Sequence, residues 1–226
     1  MQISNIVSEL ERKNEFVLAK ELEEVTAEDD FESCFEVKGT YTLKNKVYDV
    51  KGDVFLLKKV KTLPFKFGTV TGNFDCSKNN LTSLKGSPVK VGRDFDCSRN
   101  KLTSLEGSPT KVGGDFYCDK NGLTSLKDAP MRVGGGFWCD ENKLVSLEGA
   151  SKEVGEDFDC SFNKLTFLEG APSKVGKDFW CNQNKLHSLK GAPKEVGGDF
   201  WCSDNKKVFT EREVKAVSKV GGDIVT

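Results

Sequence analysis

The chain is poor in the residues from which catalytic and metal sites are usually built. Its 226 residues include one histidine, His187, which lies in a repeated position where Thr82 stands in another copy. A Ser-His or Cys-His triad therefore has no suitably placed base, and a histidine-rich zinc site is excluded. The sequence also has no C-x-x-C pair and no phosphate-binding glycine loop with its lysine. We expect no catalytic residues, no metal, no cofactor and no enzymatic activity.

An excess of one charge and long apolar runs are also missing. Lys and Arg number 34 against 35 Asp and Glu, so net charge gives no reason to expect binding to nucleic acid or a membrane. The first residues do not combine a basic segment with an apolar one, and no apolar run approaches membrane-spanning length. We therefore expect a cytoplasmic protein without membrane contact or direct nucleic-acid binding.

The dominant feature of the chain is one short unit that is repeated without insertions. The unit reads DFDCSRNKLTSLEGSPTKVGG at Asp94–Gly114, and its phenylalanine recurs every 21 residues from Phe74 to Phe200. Cysteine, asparagine, two leucines and a valine recur with the same period. A fixed period of this length predicts a solenoid, because no single unit can bury its own apolar face and stacked units share a core.

Within one unit, the order of residues predicts where each side chain points. Phe-x-Cys alternates as in a strand with one buried face, so we expect a parallel sheet in which Phe and Cys point inward. Seven of the eight cysteines occupy this position and are interpreted as reduced, small hydrophobic residues. The asparagine that follows is expected to satisfy backbone groups of its own turn and of a neighbouring turn.

The pattern V-x-x-x-F-x-C-x-x-N-x-L-x-x-L resembles the leucine-rich repeat, whose usual form is L-x-x-L-x-L-x-x-N-x-L-x-x-L. The short unit with a proline in its return is similar to bacterial and phage-encoded repeats of this family. The resemblance covers residues 50–208. It implies a leucine-rich repeat solenoid with a curved parallel β-sheet on its concave face and loops and turns on its convex side. It also implies that the concave sheet binds another macromolecule.

The two ends of the chain are predicted to flank this solenoid. Residues 1–49 are assigned to an N-terminal flank with an amphipathic helix at 4–24 and strands before residue 54. Residues 209–226 are assigned to a C-terminal helical cap, because Thr210 and Glu213 match a capping box. In that helix, Val214 and Val217 are expected to point inward.

Function is expected at the outward positions that vary between units. All three tryptophans share one such position, and Phe162 lies close to it in sequence. Two interpretations of these aromatic residues stay open, an interface and a cross-strand ladder that supports the sheet. The aspartates on the same face suit either a basic partner or a solvated rim. The predicted partner-binding residues are Tyr117, Trp138, Asp159, Phe162, Trp180, Trp201, Asp115, Asp157, Asp178 and Asp199.

These observations predict a non-enzymatic module that binds a protein partner, with a basic surface on the partner as one option. The resemblance to phage repeats suggests an inhibitor or adaptor that acts on a host factor. Two alternatives stay open. One is an effector or enzyme whose activity lies in the N-terminal region. The other is a purely structural solenoid in which the aspartate columns bind calcium.

Overall fold

The chain folds into a parallel β-solenoid of about 9 coils with ~21-residue spacing, as the repeat predicts. The structure is a computed structural model that describes residues 31–226, so the helix predicted at 4–24 lies outside the described residues. Strands of the solenoid pair in register with the strands one coil before and after them. The residues of one repeated column are therefore direct neighbours in space.

An antiparallel hairpin begins the solenoid, in agreement with the strands predicted before residue 54. Helical residues 31–34 lead into β1 (Phe35–Lys44), which pairs with β2 (Val47–Leu56). Asn45 and Lys46 in the connecting turn both have positive φ, 53° and 61°, as a two-residue hairpin of type I′ requires. Because β2 is long, its two halves start two separate ladders of parallel strands.

The first ladder, here called the Phe ladder, continues from the second half of β2. Each strand except the last starts at the repeated phenylalanine, which faces the core, and its second residue faces outward. The last strand has Ile224 in the place of phenylalanine. Its strands are β4 (Phe74–Asp75), β6 (Phe95–Asp96), β8 (Phe116–Tyr117), β10 (Phe137–Trp138), β12 (Phe158–Asp159), β14 (Phe179–Trp180), β16 (Phe200–Trp201) and β18 (Ile224–Val225).

The second ladder, here called the Val ladder, continues from the first half of β2 and was not predicted as a set of strands. Its repeated valine is buried, and the residue before that valine is exposed. Its strands are β3 (Lys66–Val70), β5 (Lys90–Val91), β7 (Lys111–Val112), β9 (Arg132–Val133), β11 (Glu153–Val154), β13 (Lys174–Val175), β15 (Glu195–Val196) and β17 (Lys219–Val220).

The core is a set of apolar columns that run through the coils. The repeated phenylalanines are fully buried, and rings in successive coils lie 5.0 to 5.8 Å apart between centroids. The inward cysteines and both leucine columns fill the remaining space. Since each side chain packs on its counterpart in the coils above and below, the hydrophobic gain belongs to pairs of coils rather than to one coil.

The asparagine column satisfies backbone groups that no ladder reaches, as predicted. Asn142 Oδ1 accepts a hydrogen bond from the Leu123 backbone N–H one coil earlier, at 3.0 Å. Its Nδ2 donates to the carbonyl oxygens of Cys118, Cys139 and Asp140. One buried amide therefore bridges two coils and also closes its own turn.

The C-terminal segment contains the predicted helix but then returns to the solenoid. The helix Glu211–Lys215 has the predicted capping box between Thr210 and Glu213, and Val214 is buried. The inward placement of Val217 is wrong, because the helix ends before it and its side chain is 42% exposed. The sequence KVGGDI at Lys219–Ile224 then repeats the KVGGDF of Lys111–Phe116 and forms the last pair of strands.

Removing the side-chain amide of Asn142 should destabilise the protein strongly. The Asn142→Ala variant leaves the Leu123 N–H and three carbonyls without their side-chain partner. We expect a loss on the order of 3 kcal/mol in the free energy of unfolding, measured by urea denaturation. The exposed neighbour Lys143 provides the control, since Lys143→Ala should change stability by less than about 0.5 kcal/mol. Equal losses in both variants would contradict the bridging role of the amide.

The thiols should show two separate levels of reactivity. Burial raises the pKa of Cys97 and of its counterparts in the neighbouring coils well above the usual range, so they remain protonated and shielded. Cys34 is only partly buried. Ellman's reagent at pH 8 should therefore titrate Cys34 rapidly in the native protein and all 8 thiols after denaturation. Rapid reaction of the native Cys34→Ser variant would contradict this assignment.

Candidate protein-binding face

The candidate site is the outward side of the Phe ladder, where three rows of variable residues run from coil to coil. We call this surface the aromatic–acidic face. The row after Phe contains Asp75, Asp96, Tyr117, Trp138, Asp159, Trp180 and Trp201. The row after Cys contains Ser77, Ser98, Asp119, Asp140, Ser161, Asn182 and Ser203. The row before Phe contains Asn73, Asp94, Asp115, Gly136, Asp157, Asp178 and Asp199.

Three of the predicted aromatic residues form a continuous stack. The rings of Tyr117 and Trp138 lie 6.0 Å apart between centroids with an interplanar angle of 9°. Trp138 also stacks on Trp180 at 5.8 Å, although these residues are two coils apart. The small side chain of Asp159 occupies the coil between them. Burial raises the pKa of this carboxyl group. All these rings keep part of their surface exposed.

Gly136 gives Trp138 its position, a relation that sequence reasoning missed. Most other coils carry an aspartate immediately before the ladder, whereas this coil carries glycine. A Cβ atom on Gly136 would lie 2.9 Å from Nε1 of the Trp138 indole, closer than such contacts normally occur. The indole therefore lies over the glycine backbone. The single glycine in an otherwise acidic row was the available signal.

Trp201 and Phe162 belong to the predicted site but are not part of the stack, although Trp201 pairs in register beside Trp180. No ring among residues 31–226 stacks on the indole of Trp201 within contact distance. Phe162 is 47% exposed at a corner position where every coil adopts positive φ, here 52°. Neither ring makes a recorded contact with Tyr117 or Trp138. The face thus has a packed aromatic centre with two separate aromatic residues beside it.

The aspartates before Phe bond to the backbone of the next coil. Oδ1 of Asp115 accepts the N–H of Gly136 at 2.6 Å, and Asp157, Asp178 and Asp199 accept corresponding backbone N–H groups at 2.8 to 3.0 Å. Oδ2 of Asp115 also accepts the Tyr117 hydroxyl at 2.7 Å. Like the asparagines, these four predicted site residues therefore connect coils. Their contribution to partner binding stays a prediction.

Aspartates in the row after Phe close a local turn when serine follows the cysteine. Asp159 accepts the Ser161 backbone N–H at 2.8 Å, and Asp75 and Asp96 do the same with their own serines. Where an aromatic residue replaces this aspartate, the chain places Asp119, Asp140, Asn182 or Ser203 after the cysteine. The coils are therefore of two kinds, with an Asp-x-Ser turn or with an outward aromatic ring.

Two coils of the aromatic kind place like charges side by side. Asp119 and Asp140 lie on neighbouring coils, because Tyr117 pairs in register with Trp138. Burial and the charge of Asp140 raise the pKa of Asp119 to about 6. Burial and the charge of Asp159 raise the pKa of Asp140 to about 6. Lys120, the adjacent cation, forms an ion pair with Glu141 at 2.9 Å. This acidic pair was not among the predicted site residues.

The part of the chain that the structure describes offers few residues for other kinds of site. No group of three or more His, Cys, Asp or Glu residues between 31 and 226 could hold a metal ion. The calcium alternative stays a prediction. His187 packs on the ring of Phe167 at 4.7 Å. No helix among the described residues is long and apolar enough to cross a membrane.

No model of a known protein family matches this chain, and no curated protein matches its sequence. The function of the face therefore has to be argued from its own geometry and charge.

The acidic pair should make the protein less stable as the pH rises. Because the pKa of Asp119 and Asp140 is about 6 in the folded protein, against an ordinary value of 3.8, the folded state binds protons more tightly than the unfolded state. The free energy of unfolding should therefore fall between about pH 4 and pH 6. At pH 7, Asp119→Asn with Asp140→Asn should stabilise the protein by about 1 kcal/mol, after allowance for solvent screening.

Urea denaturation at pH 4 and pH 7 measures this effect. The difference between the double variant and the wild type should be much smaller at pH 4, where both carboxyl groups are protonated in the folded protein and partly protonated in the unfolded chain. Glu106→Gln with Glu148→Gln, on exposed turns away from the face, is the matched control and should show no such pH dependence. A stabilisation that is equal at both pH values would contradict the assigned repulsion.

Proposed function

We propose that this protein is a non-enzymatic binding module that docks a protein partner on the aromatic–acidic face. The observation that carries the proposal is the stack of Tyr117, Trp138 and Trp180 beside the adjacent carboxylates of Asp119 and Asp140. Partly exposed aromatic rings are the side chains that most often dominate the energy of a protein interface. The frame of the solenoid does not require them, because the Asp-x-Ser coils close without a ring.

The partner that fits this face presents arginine or lysine side chains. A guanidinium group can stack on an indole ring and also form charge-assisted hydrogen bonds with carboxylates. A cation placed between Asp119 and Asp140 offsets the burial that raises the pKa of both carboxyl groups and the charge of Asp140 that adds to the shift of Asp119. Binding should therefore release protons near pH 6 and weaken as the pH falls from 7 to 5.

The finer description of the fold belongs to the same proposal. The resemblance of the repeat to leucine-rich repeats assigns the aromatic–acidic face to a concave sheet and the turns around Lys85 and Glu106 to a convex side. A concave surface would surround a partner with several rows at once. The two helical ends would then act as flanks that cover the apolar coils. In this description the predicted residues Asp115, Asp157, Asp178 and Asp199 form the acidic margin of the docking surface.

The biological setting is proposed on the resemblance alone. Phage-type repeats suggest a cytoplasmic inhibitor or adaptor that acts on a host factor, and an acidic face suits a target with a basic surface. Activity in the N-terminal region is the alternative, and most of that region lies outside the described residues. The two differ in an observable way, because only the first depends on the aromatic row.

Coils of the Asp-x-Ser kind offer a variant that removes the rings of Trp180 and Trp201 without disturbing the frame. Trp180→Asp, Asn182→Ser and Trp201→Asp convert two coils to the arrangement of Asp159 and Ser161. The variant should keep the wild-type circular dichroism spectrum. When immobilised, it should no longer retain the proteins that the wild-type chain retains from lysate. Each of those proteins, once purified, should bind the variant with about tenfold lower affinity than the wild type.

Glu106→Gln with Glu148→Gln is again the control and should retain the same proteins as the wild type. Binding of a purified retained protein should also weaken at pH 5. A second variant, Tyr117→Asp with Asp119→Ser and Trp138→Asp with Asp140→Ser, converts the two remaining aromatic coils. If both folded variants retain the same proteins with unchanged affinity, the aromatic row supports the sheet only, and the proposal fails.

A further inference from the structure

A second surface with the opposite charge lies on the Val ladder. The exposed residue before each buried valine is Lys90, Lys111 and Arg132 in three successive coils. The strands pair in register, so the three cations are direct neighbours on the sheet. Like charges on adjacent strands repel and destabilise a sheet. The near-zero net charge of the chain does not reveal this row, because the acidic face carries charges of the opposite sign.

These three cations have no carboxylate partner in the part of the chain that the structure describes. Further along the same row, Lys174 forms an ion pair with Glu195 at 3.4 Å. Among residues 31–226, no carboxylate lies within ion-pair distance of Lys90, Lys111 or Arg132. The cationic part of the row is therefore available to an anionic ligand, whereas its C-terminal part is neutralised within the protein.

A groove of about 1100 Å³ runs along this surface. Lys111, Arg132 and Lys152 line it, together with Lys174, which is held in its ion pair with Glu195. Glu153, the one acidic residue of the lining, lies in the row between Arg132 and Lys174. Glycines of successive corners, such as Gly134, form part of its lining. Side chains cannot fill this part of the groove, because a Cβ atom on Gly134 would lie 2.1 Å from the carbonyl oxygen of the preceding coil.

Apolar groups accompany the cations and narrow the choice of ligand. Met131 lines the groove and is 77% exposed, and Val89 near the start of the row is 53% exposed. The groove has no aromatic side chain on which a nucleic-acid base could stack. Alternating cationic and apolar contacts match a polypeptide that alternates acidic and apolar residues.

We propose that this groove binds an extended acidic peptide segment of a partner protein. From Lys111 to Lys174 the groove crosses three coil steps, about 14 Å at strand spacing. About five residues of extended chain span that length, with acidic side chains on one face roughly 7 Å apart. Flexible lysine and arginine side chains reach carboxylates at that spacing. The acidic peptide site lies on a different ladder from the aromatic–acidic face and does not depend on the proposed function of that face.

The test measures binding of a fluorescein-labelled peptide, in which glutamate alternates with valine, to the full chain by fluorescence anisotropy. Lys111→Glu with Arg132→Glu should weaken binding about tenfold, through loss of two attractions and gain of two repulsions. The matched control is Lys143→Glu with Lys164→Glu, the same charge change on exposed residues outside the groove. It should change the affinity less than about threefold, because distant charges are screened. Circular dichroism confirms that both variants are folded.

Three results would overturn the proposal. The first is that the wild-type chain shows no saturable peptide binding at low salt. The second is that both double variants weaken binding equally, which would mean general charge attraction. The third is that a single-stranded oligonucleotide, or a second copy of the chain detected by sedimentation, binds the wild type more tightly than the peptide does. Lys111→Glu with Arg132→Glu would then abolish the binding of that ligand.

Discussion

The structure depends on how backbone groups are satisfied between coils. Each ladder strand after β3 contains only two residues. Backbone hydrogen bonds between neighbouring coils continue beyond the strands, as from the Cys139 N–H to Asp159 and from the Lys143 N–H to Leu123. Repeated side chains take other backbone groups, as when Asn163 accepts the Leu144 N–H and Asp178 accepts the Asp199 N–H. A buried N–H without an acceptor is costly. The asparagine and aspartate columns therefore satisfy the N–H groups that the backbone bonds between coils leave without an acceptor, and the apolar columns stack around them.

These structural roles determine which residues are free to serve a function. Since the inward columns and the amide column are committed to the frame, only the outward rows can vary without loss of the fold. The two kinds of coil illustrate this freedom, because Asp159 and Trp180 occupy equivalent positions in adjacent strands. The Asp119–Asp140 pair and the Lys90–Lys111–Arg132 row both place like charges together. An arrangement that costs stability in the isolated chain becomes favourable when a ligand of opposite charge binds.

The sequence predicted the stacking, the inward Phe and Cys, and the asparagine network, because a fixed period places equal residues next to each other. It did not predict the Val ladder as strands, since a strand of two residues shows no alternation. The bonds of Asp115 and its equivalents were missed because one carboxylate column looks the same whether it faces solvent or a backbone N–H. Val217 was misplaced because the helix is shorter than its capping box suggested. The stack of Trp138 on Trp180 could not be predicted from the sequence, since it joins residues that are two coils apart, across Asp159.

The most direct test of the side-chain columns is hydrogen exchange of individual backbone amides, followed by nuclear magnetic resonance. The amides of Leu102, Leu123 and Leu144 bond only to asparagine side chains of the next coil. If these columns hold the coils together, the exchange rates of the three amides should lie within about tenfold of those of the ladder amides of Phe116 and Phe137, because all of them exchange through the same opening of the solenoid. Exchange at the rate of exposed turn amides would contradict the account and leave the ladders and the apolar core as the only source of order.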